Sequence, residues 1–120
     1  MPEYPFMTLR VALGPETMLG GGKADLLEGI ANTGSIAAAG RRMGMSYKRA
    51  WYLIDTLNGY FSGPLVVATK GGRSGGGAAL TDTGQAVLAL YRTLERKAGA
   101  AVRAELQALT ALAAIVPPEA

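Results

Sequence analysis

Four consecutive side chains near the middle of the chain could bind phosphate groups or the edges of bases. Ser46 and Tyr47 carry hydroxyls, Lys48 an ammonium group and Arg49 a guanidinium. Most catalytic and metal chemistry is excluded, because the chain has no cysteine and no histidine and its nine acidic residues are scattered singly. We therefore expect a binding protein with no cofactor, no catalytic residues and no metal site, and not an enzyme.

The residues around this run form a pattern of helix, tight turn and second helix. Ser35 is placed to cap the first helix through its hydroxyl, and Gly44 is placed to end it. Ser46 is placed to cap the second helix, and Gly40 leaves room where the two helices cross. The second helix is predicted to end at Asn58-Gly59. It is predicted to bury one stripe, because its apolar residues recur at helical spacing: Ala50, Leu53, Ile54 and Leu57.

A helix-turn-helix places its second helix in the major groove of DNA, with the first residues of that helix nearest the base edges. This geometry predicts that Ser46 to Arg49 contact DNA, the two cations among them approaching base edges or the adjacent phosphates. Arg41 and Arg42 are expected to contact the DNA backbone. Trp51 is interpreted as a packing residue rather than a base reader. An ordinary helical hairpin inside a core is the alternative for the whole stretch.

A change of periodicity after Pro64 predicts two short strands around a basic loop. Residues 65–69 are rich in β-branched side chains, and residues 78–80 are the candidate partner strand. The loop carries Lys70 and Arg73 among glycines that let the backbone approach a phosphate, so the unit is interpreted as a wing. A nucleotide-binding loop is not matched, because no Gly-Lys-Ser/Thr sequence occurs here. A merely flexible hairpin loop remains the other alternative.

The N-terminal part is predicted to contain one strand and one helix. Residues 6–13 alternate loosely and form a strand ended by Gly14-Pro15, which could pair with the later hairpin. Residues 20–22 are three glycines and are interpreted as a flexible break. A helix follows from about residue 23 to residue 32, with Gly34 behind it as a terminator and one buried face. That face is formed by Leu26, Leu27 and Ile30.

The C-terminal part is predicted to be one long helix from about Asp82 to Ile115, with Thr81 as its cap. Its apolar stripe shifts near Gly99, which fits a kink, a break into two helices or a rotation of the seam. The helix is longer than a small domain can bury, so we expect part of the stripe to pack against a second copy. The residues assigned to this dimer interface are Val87, Tyr91, Leu94, Val102, Leu106 and Leu109.

Length and composition describe one folded domain with an uneven charge distribution. The 120 residues are 49% hydrophobic and 18% charged, and no apolar run reaches the roughly 20 residues of a membrane span. Ten basic residues face three acidic ones between positions 41 and 103, whereas positions 1–40 hold two basic and four acidic residues. This distribution fits a phosphate-binding surface or a solvated helix face. The N-terminus lacks a signal-peptide pattern, so we expect a cytoplasmic protein with no membrane partner.

Three stretches together resemble a known family. Gly34-Ser35-Ile36 is followed by Met45-Ser46-Tyr47-Lys48-Arg49-Ala50-Trp51 and by Gly71-Gly72-Arg73-Ser74-Gly75-Gly76-Gly77-Ala78. These residues are similar to the N-terminal DNA-binding domain of the molybdate-responsive transcriptional regulators, the ModE family, and the resemblance covers most of the chain. Winged regulators of the LysR class share the general architecture, but not this pairing of motifs.

The resemblance implies a mainly α fold with a small β wing, a winged helix-turn-helix over residues 1–80 and a long C-terminal dimerisation helix over residues 81–116. The sequence departs from the family pattern at Tyr52, where an acidic residue is common, and at Ser74, which interrupts the glycine run. The family's recognition and wing roles, added to the backbone contacts above, assign DNA binding to Ser46, Tyr47, Lys48, Arg49, Arg41, Arg42, Lys70, Gly72, Arg73 and Gly75.

Complete members of this family carry C-terminal molybdate-binding domains, which this sequence does not include. The chain ends in Pro-Pro-Glu-Ala, which resembles a natural end, so we expect a stand-alone relative for which molybdate binding is doubtful. The expected partners are double-stranded DNA and a second copy of the chain, in a transcriptional regulator linked to molybdenum metabolism. Two alternatives stay open: a winged-helix protein-protein interaction module, and an oxyanion-responsive regulator controlled through another protein.

Overall fold

The computed structural model describes residues 3–70 and 77–114, which form two β-hairpins and five helices. The first hairpin pairs β1 (Arg10–Gly14) with β2 (Thr17–Gly20) in antiparallel register. Three helices follow it, α1 (Gly21–Thr33), α2 (Ile36–Arg42) and α3 (Tyr47–Tyr60). The second hairpin pairs β3 (Val66–Thr69) with β4 (Gly77–Leu80), and the chain continues into α4 (Asp82–Ala101) and α5 (Arg103–Leu112). The mainly α fold with a small β wing is confirmed.

The prediction that the N-terminal strand pairs with the wing is wrong. The strand pairs with β2 in a separate two-stranded sheet, and it begins at Arg10 rather than at residue 6. The predicted end of the strand at Gly14-Pro15 is confirmed, because β1 ends at Gly14 and the turn of this hairpin follows, with Gly14 opposite Thr17. A partner only a few residues away costs less loop-closure entropy than one more than fifty residues along the chain.

The flexible break predicted at residues 20–22 is also wrong, because α1 already begins at Gly21. Its other predicted features are confirmed. Leu26, Leu27 and Ile30 are fully buried, and Gly34 ends the helix with a φ of 71° while its N–H donates to the Ile30 carbonyl at 2.8 Å. Glycine adopts this left-handed conformation without the steric cost of a Cβ.

The helix-turn-helix forms as predicted. The Ser35 hydroxyl accepts from the Ala38 N–H at 3.0 Å, and Gly44 makes the turn between α2 and α3 with a φ of 69°. Gly40 is buried at the crossing, where an added Cβ would lie 3.1 Å from the Ala50 Cβ. The second helix therefore packs so closely on the first that its orientation is fixed by the core. The stripe predicted on α3 is confirmed, with Ala50, Ile54 and Leu57 buried and Leu53 half-buried.

The wing is attached to α3 through the side chain of Asn58, which the sequence predicted only as part of the helix end. Asn58 Oδ1 accepts from the N–H groups of Leu65 at 2.9 Å and Val66 at 3.1 Å, and its Nδ2 donates to the Val66 carbonyl at 3.1 Å. The predicted end of α3 at Asn58-Gly59 is slightly early, since the helix runs to Tyr60. From the other side, the Ala78 N–H donates to the Gly34 carbonyl at 2.9 Å.

The start of α4 closes the wing against the core. Thr81 caps α4 as predicted, because its hydroxyl accepts from the Gly84 N–H at 3.0 Å and donates to the Pro64 carbonyl at 2.8 Å. Gly84 packs directly on the Leu65 carbonyl, and a Cβ at this position would overlap that oxygen. The wing is thus held by α3 on one side and by the first turn of α4 on the other.

The long C-terminal helix divides into α4 and α5 at Val102. Of the three explanations for the shifted stripe, the structure thus shows the break into two helices. Hydrogen bonds of helical spacing still cross the junction, from the Val102 N–H to the Ala98 carbonyl at 3.2 Å and from the Leu106 N–H to the Val102 carbonyl at 2.9 Å. The last helix ends at Leu112, before the predicted end at Ile115. Within the described residues, no helix has the length and apolar character needed to cross a membrane.

Candidate nucleic-acid interface

The first turn of α3 presents four polar or charged side chains on the protein surface. Ser46 holds the start of the helix, because its hydroxyl accepts from the Arg49 N–H at 3.1 Å. Tyr47, Lys48 and Arg49 are exposed, and the Arg49 guanidinium lies 5.4 Å from the ring centroid of Tyr52. The cap and the buried stripe behind it fix the backbone from which these side chains project. The four predicted recognition residues are therefore brought together at one exposed corner.

Trp51 is not in the core, contrary to its interpretation as a packing residue. Its side chain is 42% exposed and makes an edge contact with the Tyr47 ring, the two centroids being 6.3 Å apart. Both aromatics line a groove of about 320 Å³ between α3, the start of α2 and the loop ends of the two wing strands. Position 51 lies on the flank of the helix, a quarter-turn away from the buried stripe, so the wing side of α3 is an aromatic surface.

The cations predicted to contact the DNA backbone lie on two separate parts of the fold. Arg41 and Arg42 are exposed in the last turn of α2, and Lys70 is exposed just after β3. Arg41 and Arg42 also sit where a cation interacts favourably with the helix dipole. Three wing residues of the predicted DNA-binding set, Gly72, Arg73 and Gly75, lie outside the described residues.

Arg92 is not available to the interface, although it contributed to the basic excess counted between positions 41 and 103. Its guanidinium forms ion pairs with Asp25 at 2.7 Å, Glu28 at 3.2 Å and Glu95 at 2.9 Å. Burial disfavours the charged guanidinium, but the hydrogen bonds to Asp25 and Glu95 and the charge of Glu28 outweigh it and raise the pKa of Arg92. This cation therefore joins α1 to α4 and is neutralised by their carboxylates.

The six residues assigned to a dimer interface do not form one exposed stripe. Tyr91 is buried within its own chain and its hydroxyl donates to the Leu9 carbonyl at 2.7 Å. Leu94 and Leu109 are exposed, by 47% and 64%. The remaining three are half-buried: Val87, Val102 and Leu106. Tyr91 is thus covered by its own chain, whereas Leu94 of α4 and Leu109 of α5 are exposed.

Comparison with known proteins matches the helix-turn-helix region itself. A model of the bacterial regulatory helix-turn-helix proteins of the lysR family matches residues 24–85, from α1 through the wing to the start of α4. The chain belongs to this family. The matched range includes Ser46 to Arg49 at the start of α3, so the family match and the geometry concern the same residues.

Three relatives also confirm the resemblance to the molybdate-responsive regulators. The chain is 49% identical over 98 residues to the molybdenum-pterin-binding protein MopA of Rhodobacter capsulatus, covering 79% of this chain and 36% of that protein. It is 48% identical over 79 residues to the molybdenum transport protein ModE of Azotobacter vinelandii, covering 66% and 29%. The DNA-binding transcriptional dual regulator ModE of Escherichia coli K12 is 42% identical over 72 residues, covering 60% and 28%. The chain spans about a third of the length of these relatives.

Proposed function

We propose that this chain is a dimeric, sequence-specific DNA-binding regulator of transcription that is linked to molybdenum metabolism. The observation that carries the proposal is the first turn of α3, where exposed Lys48 and Arg49 project from a backbone fixed by the Ser46 cap. A helix held in this way enters the major groove with its N-terminal side chains toward the base edges. The names of the relatives, among them a DNA-binding dual regulator, support the proposal.

Each recognition residue has a separate role in this proposal. Lys48 and Arg49 contact base edges or the adjacent phosphates, while Ser46 and Tyr47 contact phosphate or one base edge. Arg41, Arg42, Lys70 and Arg73 neutralise backbone phosphates, and Gly72 and Gly75 let the wing backbone approach a phosphate closely. The exposed leucines of α4 and α5 join two copies, so the two recognition helices read a site with two-fold symmetry.

Selection of bound duplexes from a random DNA library tests the proposal directly. We expect an enriched site with two related half-sites, and an affinity that falls steeply as the salt concentration rises because bound phosphates release counterions. Absence of measurable affinity for duplex DNA at low salt contradicts the proposal. That result would favour the alternative function as a protein-protein interaction module.

The link to molybdenum is tested separately from DNA binding. The molybdenum relatives are about three times longer than the matched region. We therefore propose that this chain supplies the DNA-binding unit and that oxyanion control acts through another protein or domain. Addition of molybdate or tungstate to the 120-residue chain is then expected to leave its melting temperature unchanged. A concentration-dependent rise in melting temperature would instead assign oxyanion binding to the chain itself.

A further inference from the structure

A basic cleft of about 290 Å³ lies between the N-terminal hairpin, the start of α1 and the start of α3. Three cations from three different elements line it, Arg10 of β1, Lys23 of α1 and Arg49 of α3, and no carboxylate is among the lining residues. Arg10 and Lys23 come from the part of the chain that is acidic on average and were not among the predicted DNA-binding residues.

Lys23 is held in place by contacts that leave its charge unneutralised. Lys23 Nζ donates to the Met18 carbonyl at 2.9 Å and to the Tyr60 hydroxyl at 3.2 Å, and it lies 5.0 Å from the centroid of the Tyr60 ring. The stem of Arg10 lies over Gly20, where an added Cβ would be 3.6 Å from Arg10 Cγ. Across residues 3–70 and 77–114, every ion pair involves Arg92, so no carboxylate pairs with the cations of the cleft.

The cleft and the wing lie on opposite flanks of α3. Tyr47 and Trp51 line the groove on the wing side, whereas Arg49 and Leu53 line the cleft on the side of the N-terminal hairpin. Residues four apart share one helix face, and the two pairs are separated by the exposed front of the helix that carries Lys48. The front of α3 is therefore bordered by a protein surface on each side.

We propose that this cleft binds backbone phosphates of DNA on the side of α3 opposite the wing. The inference rests on the proposed function, since it requires α3 to lie in the major groove. A helix in that groove, which is about 12 Å wide, has a sugar-phosphate strand along each of its flanks. The wing flank then faces one strand and the cleft faces the other. Arg10, Lys23 and Arg49 supply the positive charge for the second strand. Glu16, the acidic residue of the same hairpin, lies in its turn, at the end of the hairpin away from the Arg10–Gly20 pair.

A salt titration of DNA affinity with charge-matched variants tests this assignment. Arg10→Gln removes the charge but keeps most of the side-chain stem over Gly20, and Arg10→Lys keeps the charge. Arg96→Gln is the control, because Arg96 is exposed on α4 and has the same change of charge. The probe is a 30-base-pair duplex of random sequence, since phosphate contacts do not depend on base identity.

Arg10→Gln is expected to reduce the slope of log affinity against log salt by about 0.9 for each bound protomer, which is about an eightfold loss of affinity per protomer at 0.1 M salt. Arg10→Lys and Arg96→Gln are expected to keep the wild-type slope. An Arg10→Gln variant with unchanged affinity and slope overturns the proposal, as does lower affinity with an unchanged slope. If the wild-type chain itself fails to bind the duplex, the proposed function fails rather than the assignment of the cleft.

Discussion

Replacement of Asn58 by alanine tests how the wing is held against the recognition helix. The side chain makes three hydrogen bonds to the backbone of Leu65 and Val66, two as acceptor and one as donor. Leu65 is fully buried and Val66 is 4% exposed, so water does not readily replace the lost partner. The variant leaves the N–H groups of Leu65 and Val66 and the Val66 carbonyl without their side-chain partner.

The expected loss of stability follows from these three bonds. Each contributes about 1 kcal/mol net, and a buried donor without a partner costs about 1–3 kcal/mol. Alanine recovers about 0.6 kcal/mol through its higher helix propensity. The free energy of unfolding is therefore expected to fall by about 2–3 kcal/mol, which lowers the melting temperature by roughly 10 °C in a domain of this size.

Urea denaturation of the Asn58→Ala variant, followed by circular dichroism, measures this loss. Asn32→Ala is the matched control, because Asn32 is exposed near the end of α1 and has the same gain in helix propensity. Asn58→Asp keeps the acceptor for both N–H groups and is expected to lose less stability than the alanine variant. If Asn58→Ala and Asn32→Ala unfold at the same urea concentration, Asn58 does not hold the wing and the reasoning is refuted.

Three further predictions concern the first turn of α4, the recognition helix and the N-terminal segment. Gly84→Ala places a Cβ against the Leu65 carbonyl and is expected to cost about 2–3 kcal/mol of stability, measured by urea denaturation. Gly99→Ala is the control, because nothing lies within 4 Å of a Cβ at that position. Equal stability of the two variants contradicts the close packing at Gly84. Lys48→Ala is expected to weaken DNA binding by about 1–3 kcal/mol. Base preference is relaxed if Lys48 reads a base, whereas affinity falls equally for all sequences if it contacts a phosphate. Unchanged affinity and selectivity at fixed salt would show that Lys48 is not in the interface. Tyr91→Phe is expected to cost about 1 kcal/mol below pH 10. Burial, followed by the Glu95 charge, raises the pKa of Tyr91 above its ordinary value of 10.0. Its contribution to stability is therefore present below pH 10 and lost as the pH rises through the raised value, so the variant should lack this part of the alkaline loss.

The parts of the fold that the sequence predicted are those set by contacts within a few residues. Ser35, Ser46 and Thr81 each cap the helix that follows, because a hydroxyl can reach an N–H three residues on. Gly34 and Gly44 end their helices in the left-handed conformation that glycine adopts most easily. Such short-range chemistry is written directly in the residue types and their spacing.

The features that the sequence did not predict depend on contacts between distant residues. The sequence predicts Asn58 only as part of a helix end, yet its amide bonds the backbone of Leu65 and Val66 at the start of the wing. Tyr91 was assigned to a dimer by its place in an apolar stripe, but its hydroxyl bonds the carbonyl of Leu9 in the N-terminal segment. A stripe identifies the face that is buried. It does not identify whether the same chain or a second copy covers that face.

The charge counted along the sequence predicts the charge distribution on the folded surface poorly, because folding brings distant residues together. Counting along the sequence placed Arg92 in a basic region and Lys23 in an acidic one. In three dimensions Arg92 is neutralised by carboxylates of α1 and α4, whereas Lys23 lies beside Arg10 and Arg49 at the flank of α3. The positive field felt by a DNA strand depends on these spatial neighbours, because interactions between exposed charges fade within about 10 Å at 0.1 M salt. The basic surface around the recognition helix is therefore built partly from the segment whose composition pointed away from it.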